Sequence, residues 1–97
     1  MDKVVHFELP VDNADRAKKF YKEAFAWETN DVPEMHYITV TTVEMDKNHM
    51  PKEPGAINGG MFKRGEGDGL VSYPSFAIEV KNIDEAIKKI KNAGGLI

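Results

Sequence analysis

The stretch FELPVDNADRAKKFYKEAFAWE, residues 7–28, decides the fold because it recurs in FAIEVKNIDEAIKKIKNAGGLI, residues 76–97. At a constant offset of 69 the two are identical at eight of 22 positions without a gap. The identities are Phe7/Phe76, Val11/Val80, Asn13/Asn82, Asp15/Asp84, Ala17/Ala86, Lys19/Lys88, Lys22/Lys91 and Ala24/Ala93. Leu9/Ile78 is a conservative match. Two unrelated strand-then-helix segments share some of this by chance; the remainder indicates a duplicated unit.

Each copy reads alike. An alternating strand (4–11; 75–80) leads to Asn13 or Asn82, whose side-chain oxygen suits a helix N-cap. Glu85, three residues after Asn82, gives the arrangement of a capping box. The first helix presents Ala17, Phe20, Tyr21, Ala24 and Phe25 on one face, and the second presents Ile83, Ala86, Ile87 and Ile90. Both rows follow the spacing of a helix lying on a sheet. Gly94 and Gly95 end the second helix. In the first strand, Val5, Phe7, Leu9 and Val11 share the face expected to be buried. Val4, His6, Glu8 and Pro10 share the other, which sets an imidazole and a carboxylate side by side.

Three further strands are expected between the copies: a weak one at 27–31, a confident one rich in β-branched residues at 36–45, and a third at 57–64. The loop 46–56 reads as exposed, and GEGDG (65–69) as a linker. The order is β-α-β-β-β, then β-α. The repeat calls for further strands after the second helix, matching residues 29–64. The second half is therefore expected to be either cut short or completed by a partner subunit, since an unpaired strand edge invites pairing.

Ninety-seven residues without cysteine suit one domain with no disulfide or thiolate metal site. No apolar run approaches a membrane span, and no signal peptide opens the chain. A net charge of −3 offers no field for nucleic acid. The expectation is a soluble cytoplasmic protein without nucleic-acid or membrane partners. No phosphate-binding glycine loop or nucleophile elbow appears.

The segment VVHFELPVDNADRAKKFYKEAFAWE resembles the opening of the vicinal oxygen chelate superfamily of glyoxalases, bleomycin-resistance proteins and extradiol dioxygenases. The shared features are a His on the first strand, Asn before the helix, "FY" within it and a Trp after it. GAINGGMFKR and PSFAIEVKNIDEAIKKIKNAGG resemble the fourth strand and the second-module opening of the glyoxalase-like branch. The resemblance implies an α+β fold of duplicated βαβββ modules, with curled mixed sheets around a cavity and the second module incomplete. Residues 1–64 would form module one, 65–72 a linker and 73–97 partial module two, all within a single glyoxalase-like domain.

Metal-dependent members take ligands from the first and fourth strands of each module. The resemblance places His6 at the first metal position, Ser75 at its equivalent, and Asn58, Gly59, Gly60 and Met61 along the fourth strand. One ligand of three is thus visible, and a divalent metal is disfavoured. Glu8 is a candidate general base or second ligand. Gly59 and Gly60 mark a close approach, either by a ligand or by the protein's own packing. Asn58 is placed to orient a polar ligand, and Tyr37 to line the cavity mouth beside His36. His49 carries no specific expectation, and Phe25 and Trp27 are expected to cover the end of the first helix. Ala26 stands where the family usually has glycine, and it pairs with Gly95 in the repeat.

The function expected is binding of a small organic molecule by a homodimer without a complete metal site. Two alternatives stand beside it: a metal-dependent lyase resembling lactoylglutathione lyase, or a structural unit that dimerises by strand pairing.

Overall fold

A computed structural model describes residues 1–65 and 72–97. Most of the expected linker therefore lies outside the described residues. The chain runs β1 (Lys3–Val11), α1 (Ala14–Phe25), β2 (Glu28–Val32), a 3-10 turn (Pro33–Met35), β3 (Tyr37–Thr41), β4 (Asn58–Lys63), β5 (Ser75–Glu79) and α2 (Ile83–Asn92). The five strands form one open mixed sheet in the order β2-β3-β4-β1-β5. β1 lies parallel to β4 and antiparallel to β5. β3 is antiparallel to both β2 and β4.

Alternation along β1 separates the two faces of the sheet. Val11, Ile38, Val40 and Met61 form the buried core, with Phe7, Leu9, Ala17 and Tyr21 packed against it. Helix α1 therefore covers the Phe7–Leu9–Val11 face, and His6 and Glu8 project from the opposite one. Asn13 caps α1 by accepting the Arg16 amide at 3.0 Å, and Asn82 caps α2 by accepting the Glu85 amide at 3.0 Å. Trp27 stacks on Tyr21 with ring centroids 4.7 Å apart and also meets Phe7 and Phe25, so it does close the end of α1. Phe20 and Phe25, expected on the buried row, stay exposed and edge onto one another.

Two sequence expectations need correction. The strand expected over 36–45 lasts only from Tyr37 to Thr41. It begins late because His36 closes the 3-10 turn in a left-handed conformation, φ +51°. It ends early because the Thr42 and Val43 amides hydrogen-bond to the Asn58 side chain. The helix ends also differ between the repeats: Ala26 is left-handed at φ +63°, whereas in the second copy the left-handed residue is Gly94, φ +96°. α2 ends at Asn92 with Ala93 as its C-cap, so the left-handed residue follows at Gly94, one place before Gly95.

The second unit is poorly covered. Every buried hydrophobic residue among those described comes from the first 64 positions. Phe76 and Ile83 are each 64% exposed, and Ile78 and Ile90 are exposed as well. The accessible surface is 7847 Å², whereas a compact monomer of 10.9 kDa exposes about 5,600 Å². The Cα radius of gyration is 15.1 Å, against about 12.5 Å for a compact domain of this length.

Candidate functional site

The face of the sheet opposite α1 carries a contact that spans three strands. Tyr37 at the start of β3 extends across β4, and its hydroxyl lies 2.7 Å from His6 Nε2 on β1. The imidazole and phenol rings are nearly parallel, 19° apart, with centroids 6.4 Å apart. Gly60 makes this crossing possible, because a Cβ there would collide with the Tyr37 phenol. Gly59 faces the other way, where a Cβ would run into Phe7. The paired glycines are thus explained by close approaches from the protein's own side chains, one on each face.

Burial, and then the negative charge of Glu8, hold the Tyr37 hydroxyl well above its ordinary pKa of 10.0. The phenol keeps its proton at neutral pH. It has one hydrogen to donate and lone pairs to accept. With His6 Nε2 committed to the Tyr37 hydroxyl, Nδ1 is the ring nitrogen left for another molecule. Tyr37 and His6 are thus joined by a hydrogen bond on the face of the sheet that also carries Glu8.

His6 also borders a cleft of about 600 Å³, within the size range of small-molecule sites. Asn58, paired with His6 across the β1–β4 ladder, reaches the same cleft. Its polar atoms are committed to the chain. Oδ1 accepts from the Thr42 and Val43 amides at 2.7 and 3.0 Å, and Nδ2 donates to the Val43 carbonyl at 3.1 Å. Asn58 therefore fastens the end of β3 and the segment that roofs the cleft. Val5, Met45, Met50 and Ile57 give apolar walls, with Lys3 and Glu79 adding charge. Glu8 and Tyr37 do not line the cleft; they sit behind His6. His36 is exposed in its turn, and His49, at φ +61°, lies on the cleft wall.

The contribution of Met45 and Met50 was not evident from the sequence, because the loop around them reads as charged and exposed. It folds back on itself: the Asp46 amide donates to the Met50 carbonyl and the Lys52 amide to the Glu44 carbonyl. Two apolar residues in an otherwise charged loop were the available signal.

The residues present do not fit a three-ligand metal centre. Among the described residues no three His, Asp or Glu side chains are grouped to hold an ion. Nε2 of His6 is taken by Tyr37, and Ser75 stands opposite Glu8 on β5, where it offers only a weak hydroxyl donor. No helix among the described residues is long and apolar enough to cross a membrane.

Residues 3–43 match the family described as bleomycin resistance protein-like N-terminal. The fold is similar to that of a methylmalonyl-CoA epimerase crystal structure, with a TM-score of 0.56 and 19% identity. The match covers 94% of this chain and 70% of that one. No curated protein matches in sequence.

Proposed function

From a chain with the fold of the vicinal oxygen chelate superfamily and a bleomycin-resistance-like segment at residues 3–43, we propose a protein that binds a small organic molecule. The ligand occupies the cleft beside His6. A polar oxygen or N–H of the ligand meets the free edge of the His6 imidazole, and its apolar body rests against Val5, Met45 and Met50. The observation that carries this reading is the cleft of about 600 Å³ bordered by an imidazole that Tyr37 holds in one orientation. A fixed polar group beside apolar walls is the usual composition of a small-ligand site. The protein acts as a homodimer.

A fragment panel followed by backbone and methyl NMR tests the proposal. Hits should shift Val5, His6, Met45 and Met50 together, and Tyr37→Phe, which frees the imidazole to rotate, should weaken them. A panel without hits, or hits confined to another surface, would overturn it.

A second reading rests on Glu8. It shares the face of His6 on β1 but does not line the cleft, so as a general base it would act on a bound substrate through the Tyr37–His6 contact. The matched epimerase acts on methylmalonyl-CoA by its title, and an epimerisation of that kind requires proton transfer. On this reading Glu8→Gln abolishes turnover of a bound substrate while leaving its affinity nearly unchanged. Equal turnover by the variant would exclude it.

A further inference from the structure

On the face of the sheet that α1 covers, a second cavity of about 420 Å³ lies between the first turns of α1 and the end of β4. It has no lining residue in common with the His6 cleft. Its charge sets it apart. The chain has eleven lysines and only two arginines, Arg16 and Arg64. Both arginines border this cavity and, among the described residues, no lysine does. We propose that the cavity binds a small organic oxyanion, a carboxylate or a phosphate carried on an aryl body. The site is separate from the His6 cleft and goes beyond the ligand proposed there.

Arg64, one residue past β4, is fixed by the chain around it. Its amide donates to the Val11 carbonyl at 2.7 Å, Nε donates to Asp12 Oδ1 at 2.8 Å, and Nη1 donates to the Ser72 carbonyl. A guanidinium carries five N–H donors in a rigid fork, so Nη2 and the second hydrogen of Nη1 are left for an anion. Arg16 stands exposed on α1, and its guanidinium has no hydrogen-bond or ion-pair partner among the described residues. Two guanidiniums against the Asp12 carboxylate leave the cavity positive, in a chain whose net charge is −3. The Arg16 amide is already taken by Asn13 Oδ1, so the site rests on the two side chains and not on the helix end. The remaining walls are mostly apolar. Val11 belongs to the buried core, and Ala17 and Tyr21 pack against it. Phe20 is 56% exposed and edge-on to Tyr21, with ring centroids 5.1 Å apart. The amphipathic row of α1 should bury this ring; beside the cavity it is instead free to meet an aryl group. A planar fork that binds carboxylate or phosphate through paired hydrogen bonds is the service that arginine performs and lysine does not.

NMR titration of the 97-residue chain with phenyl phosphate, benzoate and inorganic phosphate, each added separately, tests the site. The aryl anions should shift the amides of Val11, Arg16, Ala17 and Arg64 together with the Phe20 ring. The tighter of the two identifies phosphate or carboxylate as the preferred head group. Inorganic phosphate should bind at least about tenfold more weakly, because it has no apolar body to bury. Arg16→Gln, at an exposed position, should weaken the tighter aryl anion by about tenfold. Phe20→Ala should weaken the same anion while leaving inorganic phosphate unchanged. Tyr37→Phe lies on the other face of the sheet and should not alter these affinities, so a failure of this site and a failure of the His6 cleft are told apart. Absence of shifts with both aryl anions, or shifts confined to the His6 cleft, would overturn the proposal. So would aryl-anion affinity untouched by Arg16→Gln or by Phe20→Ala, or inorganic phosphate that binds as tightly as the aryl anions.

Discussion

Gly60 is where a missing side chain builds the site. A Cβ at this position would lie in the path of the Tyr37 phenol. Gly60→Ala should therefore destabilise the protein by about 1–3 kcal/mol, the usual penalty for overpacking. Removing the obstructed ring should relieve part of that cost. Gly60→Ala with Tyr37→Ala should thus be less destabilised than the sum of the two single variants, read from urea midpoints. Strict additivity would mean that the two residues do not meet. Tyr37 also gives stability a pH dependence of definite sign. Its folded pKa lies above 10.0, so above pH 10 the unfolded chain has lost a proton that the folded chain retains. Stability should be fully present below that pH and should fall as pH rises through the folded value. The fall should be shallower in Tyr37→Phe, measured by urea unfolding at a series of alkaline pH values. At this scale the sequence showed that two glycines in a strand need a reason. It did not show which side chains supplied it, because Phe7 and Tyr37 are distant along the chain.

The helix ends show how element-level rules hold locally and slip between copies. Both Asn N-caps are legible from residue type and position, and both form as read. The C-terminal ends are less regular. Ala26 adopts φ +63° at the end of α1, and its amide bonds back to the Lys22 carbonyl. An L-residue in that conformation costs about 1 kcal/mol relative to glycine. Ala26→Gly should therefore raise the urea midpoint by an amount corresponding to about 1 kcal/mol, and an unchanged or lower midpoint would refute the assignment. The strand expected to run to residue 45 was misread for a different reason. Thr42 and Val43 have the β-branched composition of strand residues, but the Asn58 side chain, 16 and 15 positions away, takes their amides. Strand propensity registers neighbours in sequence and carries no information about a distant amide group competing for the backbone.

At the scale of the whole molecule, the repeat foretold two strand–helix units, which share one open sheet rather than curling two sheets around a cavity, and alternation along β1 foretold which face α1 would cover. Neither revealed that the second unit would contribute no buried hydrophobic residue among those described. The expected cavity takes the form of a cleft on an open sheet, roofed by a loop that reads as exposed. All of this depends on the two faces of the sheet being kept apart: aromatic packing under α1 on one side, and the His6–Tyr37 contact on the other. The most direct test is a nuclear Overhauser measurement between the Tyr37 and His6 rings. The structure predicts cross-peaks between the two rings, with a slowly exchanging Tyr37 hydroxyl proton, and the loss of both in Gly60→Ala. Cross-peaks from Tyr37 to α1, with none to His6, would contradict it.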